Sequence, residues 1–448
     1  MEGAVAATDR QTHRMNWPPV RAGLPANHVD SMDSHSPASW LLQDTPGQAG
    51  WRPEPAIPEP RETGHNISFL IRCLFLAGLL LTGVIGTPAN AGVLPDDRAD
   101  VMYHSYDGGG VEVDGPSVLV LKKLGESVAV SGNYYVDSVS SASIDVVTTA
   151  SKYTEDRTEV SVGADYLYGN STMSLSYTNS DENDYEGNTA SFGISIDMFG
   201  NMTTVSLGYA YSWDTVENNN DPGFSKDIDR QNYRVGLTQV ITADMLMELT
   251  FETITDEGFL NNPYRSVRYL DPTNPVGYSF EPEVYPHTRT SNALSIRGLY
   301  YLPYRASVYG DYRFFDDTWG VRAQNIEVGY IQPVWDRWIL EAKYRYYTQD
   351  KADFYSDLFS GPDVQNFMGR DKELSDFNSH AIGLELSYEF LRGGWRFIDR
   401  GTVNLTWEHI WYDYSDFRDI RDTSAAPGDE ELYSFDANVI TAFVSIWF

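Results

Sequence analysis

Leu340, Ala342, Tyr344 and Tyr346 alternate with Glu341, Lys343 and Arg345, so a strand of period two carries an apolar face and a fully charged face back to back. The pattern recurs. Ile382, Leu384, Leu386, Tyr388 and Phe390 alternate with Gly383, Glu385, Ser387 and Glu389, and Met247, Leu249 and Phe251 alternate with Glu248, Thr250 and Glu252. Similar strips run through Val205-Leu207-Tyr209-Tyr211-Trp213, Leu294-Ile296-Gly298-Tyr300 and Val403-Leu405-Trp407. A soluble sandwich would bury such a face against a second sheet, and would build it from aliphatics rather than this many tyrosines. A transmembrane barrel needs lipid on one side of every strand and a polar lumen on the other. Mean hydropathy is negative, which argues against a helical membrane protein; alternating strands dilute any window average, so it leaves a barrel open.

The last residues fit the same architecture. Ile440, Ala442, Val444, Ile446 and Phe448 share one strand face, and the aromatic Phe448 resembles the outer-membrane sorting signal of bacterial barrels. A soluble edge strand is the rival reading, disfavoured because open hydrophobic edges aggregate. Near the other end, Phe69 to Ile85 is apolar apart from Arg72 and a few small residues, and leads into Ala89-Asn90-Ala91. Residues 65–91 therefore read as a signal peptide cleaved after Ala91, the apolar run being shorter than the roughly 20 residues of a membrane span. Residues 1–64, rich in Pro, Ser, Asp and Glu, read as a disordered extension or a misassigned start. Residues 92–448 form the barrel domain.

The only cysteine, Cys73, lies in the segment expected to be removed, so disulfides, thiolate metal sites and a cysteine nucleophile are excluded from the mature chain. Of 64 acidic and 32 basic residues, 8 and 6 precede Gly92, which leaves 56 against 26 and a net charge of -30. That balance disfavours nucleic-acid binding, which needs a basic surface. It suits cations, including divalent ions that bridge to lipopolysaccharide.

Turn chemistry gives the strand count. Short turns are expected near Leu124-Gly125, Gly169-Asn170, Phe199-Gly200-Asn201, Ala243-Asp244, Leu302-Pro303, Asp336-Arg337 and Gly393-Gly394. They alternate with long loops at about 139–156, 217–229, 257–288, 350–374 and 416–433, and shorter ones at 181–187 and 316–320. Working back from Phe448 gives fifteen strands, and a sixteenth at Val101 to Tyr106 makes the number even; fourteen is the alternative. The expected fold is thus all-β, an antiparallel outer-membrane β-barrel of about 16 strands with short turns and both termini in the periplasm. Tyr134, Tyr135, Tyr166, Tyr168, Trp213, Trp338, Tyr346, Tyr347, Trp395, Trp411, Tyr412 and Trp447 are expected to supply an aromatic girdle at the strand ends.

Residues 134–148 (YYVDSVSSASIDVVT), 262–269 (NPYRSVRY), 344–359 (YRYYTQDKADFYSDLF) and Arg370-Asp371-Lys372-Glu373 carry a further signal. These strings resemble the bacterial family filed as the domain of unknown function thirty-five seventy, over nearly all of residues 92–448. The resemblance implies an exported outer-membrane barrel and brings no established activity or catalytic residues. Residues 1–64 depart from the family pattern, which favours a misplaced start.

Motifs for chemistry are few. His104, His287, His380 and His409 show no paired metal-ligand spacing such as H-E-x-x-H, so no metal centre of that kind and no enzyme are expected. A distributed site among Asp350, Asp353, Asp357 and His380 is the weaker alternative. The segment Asp181 to Asn188 has the oxygen ligands that Ca²⁺ favours without the full D-x-D-x-D-G-x₅-E order, so a solvated acidic loop is the preferred reading and loop-bound calcium the alternative. No other cofactor is expected. Asp271 to Pro286 reads as a surface lid.

The informative set is the inward face: Glu248, Glu252, Arg297, Asp311, Arg313, Glu327, Glu341, Lys343, Arg345, Glu385, Glu389 and Glu408. These read either as a pore lining that selects by charge or as a cross-strand ion-pair network that fills the lumen. The leading function is a porin-like channel or transport protein for small hydrophilic or charged solutes in the Gram-negative outer membrane. The alternative is a scaffold barrel binding a periplasmic or surface partner, a redox protein among the candidates, without conduction. Expected partners are outer-membrane lipid, lipopolysaccharide and the barrel assembly machinery.

Overall fold

The alternation is realised as strands. The computed structural model describes residues 94–141, 153–421 and 424–448. The signal peptide with its cleavage after Ala91, and the extension 1–64, lie outside the described residues. The strands are β1 (Arg98–Gly108), β2 (Val111–Lys123), β3 (Val128–Ser141), β4 (Tyr153–Tyr168), β5 (Ser171–Asp181), β6 (Tyr185–Met198), β7 (Thr203–Glu217), β8 (Ser225–Thr242), β9 (Met245–Gly258), β10 (Ser266–Leu270), β11 (Tyr278–Pro282), β12 (Thr288–Tyr301), β13 (Ser307–Asp317), β14 (Arg322–Val334), β15 (Trp338–Gln349), β16 (Phe377–Trp395), β17 (Ile398–Arg418) and β18 (Leu432–Trp447). All but β10 and β11 close into one antiparallel barrel of sixteen strands, with β9 pairing β12 across the β10–β11 hairpin and β1 closing on β18. Closure leaves no unpaired strand edge, which is the condition for a sheet to cross hydrocarbon.

The two faces of the wall are unlike. Every barrel strand holds at least one large apolar side chain exposed on the outside, from Val101 and Tyr103 on β1 through Leu249 and Phe251 on β9 to Ile440 on β18. Register joins them into a belt: Val101 lies opposite Val118 and Val444, Ile296 opposite Leu249 and Tyr312, and Leu384 opposite Ala342 and Trp407. The alternate positions point inward and are polar though buried, among them Ser117, Asp137, Asp214, Thr250, Asn404 and Glu408. An apolar belt around a whole molecule would aggregate in water and is matched by lipid. The protein is an outer-membrane β-barrel, and its compartment is the bacterial outer membrane.

Arg98 pairs with Trp447 at the end where the short turns lie, so both ends of the strand sequence share that side, the periplasmic one in the usual topology. There the Arg400 guanidinium stands 3.8 Å from the centre of the Trp447 ring, and the Lys122 ammonium 4.9 Å from that of Phe448. Two local expectations are corrected. The turn expected at Gly393-Gly394 is a bulged stretch of β16, where the register shifts between Arg392 and Trp395; the chain reverses at Arg396-Phe397. Both glycines have positive φ, +91° and +81°, which a bulge uses as readily as a turn, so the sequence signal was ambiguous. Tyr135, expected in the girdle, points inward and stacks on His104 at 5.0 Å, because its parity is that of Asp137 and not of Tyr134.

At the loop end the strands outrun the membrane. β17 has 21 residues and β16 has 19, against about 9–11 needed to cross. The excess carries a second core. Tyr414, Phe417 and Tyr433 pack with Ala352, Phe354, Tyr355 and Leu374 of the β15–β16 loop, with Trp319 and Val321 of the β13–β14 loop, and with Tyr285, which precedes β12. These loops thus fold inward as an ordered cap.

Candidate functional site

All twelve charged residues singled out from the sequence occupy inward-facing positions, and the barrel gathers them into cross-strand networks. Glu408 on β17 accepts from Lys343 at 2.7 Å and from Arg345 at 2.8 Å, both on β15. The strand between them makes this reach feasible. Lys343 lies opposite Gly383 and Gly383 opposite Glu408, and a Cβ on Gly383 would come 2.5 Å from the Lys343 Cε. Tyr309 does the same across Gly329, donating its hydroxyl to Glu341 at 2.7 Å. Glu252 accepts from Asn232 at 2.8 Å and pairs with Arg313 at 3.4 Å. Arg297, opposite Glu248 and Asp311, lies 4.9 Å from the Tyr309 ring centre. Glu327 lies opposite Asp311 and Arg345, Glu385 opposite Glu341, and Glu389 pairs with Arg392 close to the short-turn end. The side chains of Lys343, Arg345, Glu252 and Arg313 are 19–26% exposed, and that of Glu408 is 11% exposed.

The cap is held by a second set of charges that sequence reading did not assemble. Arg268 on β10 is fully buried and donates to Asp357 at 2.8 Å and to Glu430 at 2.5 Å, joining the loops before β12, before β16 and before β18. Arg370 also holds Asp357, at 2.9 Å, with its guanidinium 4.6 Å from the Phe417 ring centre. Burial works to raise Glu430, but the hydrogen bond and charge of Arg268 outweigh it and keep its carboxyl below the usual range. Glu283 is the opposite case. Burial first, and then the charge of Asp371, hold it well above the usual range against the pull of Arg265 and of hydrogen bonds from Tyr285 and the Arg370 amide. Asp357 is thus engaged by arginines, whereas His380 accepts or donates a 2.7 Å bond with Tyr344 on the outer face. The structure does not bring the Asp350, Asp353, Asp357 and His380 set together as a reaction centre.

At the loop end, the segment after β9 reaches the neighbouring β5–β6 loop. The Tyr264 hydroxyl donates to Asp184 at 2.5 Å and accepts from the Asn219 amide at 2.8 Å. Beneath it, Glu155, Glu182 and Asp184 each bring one carboxylate oxygen within 4.8 Å of the others. Further along the wall, Arg157 stands 3.6 Å from Glu182 and 3.7 Å from Asp137, whose other oxygen is 2.7 Å from His104. Sequence reading had the loop but missed Glu155, which lies on β4 and is distant in the chain.

A family model described as "Protein of unknown function (DUF3570)" matches residues 148–399, more than half of the chain. The chain belongs to this family. The matched stretch is shorter than the near-complete coverage of 92–448 expected from the loop strings, and begins a few residues before β4. No curated protein gives a significant match. Among solved structures, a bacterial polysaccharide outer membrane secretin is similar at 7% identity and a TM-score of 0.42, over 79% of this chain and 100% of that one. A Pseudomonas aeruginosa FadL homologue is similar at 9% and 0.40, over 78% and 90%. The siderophore receptor PirA of Pseudomonas aeruginosa is similar at 11% and 0.39, over 79% and 63%. The barrel assignment of this DUF3570 member rests on its own closed pairing and apolar belt.

Proposed function

We propose that this protein is a gated channel for small hydrophilic or charged solutes. The observation that supports the reading is the pairing of inward-facing charges of both signs with three loops latched by one buried arginine, Arg268. Sixteen strands are enough to enclose an aqueous path, and the ladder of alternating charges would pass a partly dehydrated ion from one partner to the next. Cap undocking is the gate. The experiment is planar-bilayer recording of the refolded barrel: discrete conductance steps support the reading, and a flat baseline across voltage and salt would sink it.

A specific feature favours the scaffold alternative. Val276, Phe280, Val364 and Phe367 on the cap are exposed apolar side chains away from the belt, as a surface partner would want. Co-purification of a stoichiometric partner together with absent conductance selects that reading. Neither reading uses a catalytic residue.

A further inference from the structure

Glu155 and Asp184 are 5% and 3% exposed, and the Glu182 side chain 4%, yet one oxygen of each, Glu155 Oε2, Glu182 Oε1 and Asp184 Oδ1, accepts no hydrogen bond. Buried carboxylate oxygens without a partner are costly, and three in one place repel one another as well. The nearest cation, Arg157, does not resolve this. It approaches only Glu182, at 3.6 Å, and is shared with Glu159 at 2.9 Å and Asp137 at 3.7 Å.

The remaining bonds of these groups hold them in place instead of neutralising them. The Asn183 amide donates to the other Glu155 oxygen at 3.1 Å, and Tyr264 donates to the other Asp184 oxygen.

We infer that Glu155, Glu182 and Asp184 form a divalent-cation site of the calcium class at the mouth of the barrel. The chemistry of the donors selects the ion. All three are hard carboxylate oxygens with no nitrogen or sulfur among them, which suits Ca²⁺ over Zn²⁺ or Cu²⁺. Opposite ligands of a Ca²⁺ ion at about 2.3–2.6 Å lie up to about 5 Å apart, and one carboxylate oxygen from each of the three residues falls within 4.8 Å of the others. The site differs from a self-contained calcium loop, because one ligand comes from β4 and two from the β5–β6 loop; Asp181, which ends β5, and Glu186, on β6, are exposed and take no part. Through Tyr264 it touches the segment leading to the cap, so the ion would fasten that segment to the β5–β6 loop. The inference stands whether or not the barrel conducts.

The test is calcium titration of the chelator-treated, refolded full chain in detergent free of lipopolysaccharide, followed by isothermal calorimetry and by Tb³⁺ luminescence excited through tyrosine. The wild type should bind one Ca²⁺ saturably, Ca²⁺ should quench the Tb³⁺ signal, and Glu182→Gln with Asp184→Asn should weaken binding at least tenfold. Glu155→Gln alone should do so in part, while Asp244→Asn, in an exposed turn, should leave binding unchanged. Heat-modifiable migration in gels verifies that each variant is a closed barrel. No saturable binding by the wild type overturns the site without reference to any variant, and so does unaltered affinity in a folded double variant.

Discussion

Replacing Arg268 with alanine tests whether the cap is a latched element. Arg268 is fully buried and Glu430 is 3% exposed, so the substitution strands a carboxylate in a protein interior. Removing one member of such a pair costs about 3–5 kcal/mol. The lower end applies here, since Asp357 keeps Arg370 at 2.9 Å and Glu430 keeps the Gly428 amide at 2.7 Å. A loss of about 3 kcal/mol raises the undocked population on the order of 100-fold. Because the barrel wall contains none of these groups, heat-modifiable migration should persist while the loop at 259–287 becomes a protease target. In bilayers, open probability should rise in parallel. Glu430→Gln in the Arg268→Ala background should recover part of the loss, because the penalty comes from an uncompensated charge and not from a missing contact. Cleavage rate and open probability within twofold of wild type would refute the latch, as would a double variant worse than the single one.

Glu408→Gln leaves Lys343 and Arg345 without their shared anion, so reversal potentials under a salt gradient should move toward anion preference; an unmoved potential would disconnect this network from the conduction path. Cap docking should be strongest in mildly acidic solution. The carboxyl of Glu283 is raised in the docked state, which therefore holds a proton that the undocked loop releases, and docking weakens as pH rises between the ordinary carboxylate value and the raised one. Glu430, lowered in the docked state, contributes stability above its undocked value and loses it as pH falls. Proteolysis rate against pH should be lowest between these limits, and Glu283→Gln should flatten the alkaline limb; an unchanged limb counts against the assignment. Deleting Phe448 should impair outer-membrane assembly, and an undiminished heat-modifiable band in the outer membrane would refute that role.

The barrel was legible because a two-residue period needs no knowledge of partners. Once Leu340, Tyr344 and Leu384 are placed on lipid, parity alone puts Lys343, Arg345 and Glu385 in the lumen. The cap was not legible, for a corresponding reason. Arg268 and Glu430 are 162 residues apart and lie in loops with no periodicity, so nothing local marks either as half of a buried pair. Tyr264 and Asp184, 80 residues apart, are hidden in the same way. Gly383 and Gly329 are an intermediate case. As small residues at lumen parity they were visible, but their use, letting Lys343 and Tyr309 cross a strand, appears only when three strands are laid side by side.

The distribution of charge bears on which solutes a conducting form would favour. Most cations of the wall and cap already have anionic partners: Arg157, Arg230, Arg268, Arg289, Arg313, Lys343, Arg345 and Arg370 all sit in ion pairs. The chain holds twice as many acidic as basic residues, so the unpaired excess is anionic. Pairing cancels the field of the cations at a distance, while the excess carboxylates keep theirs, and a mouth bearing that sign concentrates cations and repels anions before any contact with the lining. Exposed charges act over roughly 8 Å at physiological ionic strength. Cation preference arising at the mouth should therefore fade as salt is raised, whereas preference arising at the enclosed Glu408 pair should persist, and the salt dependence of selectivity separates the two.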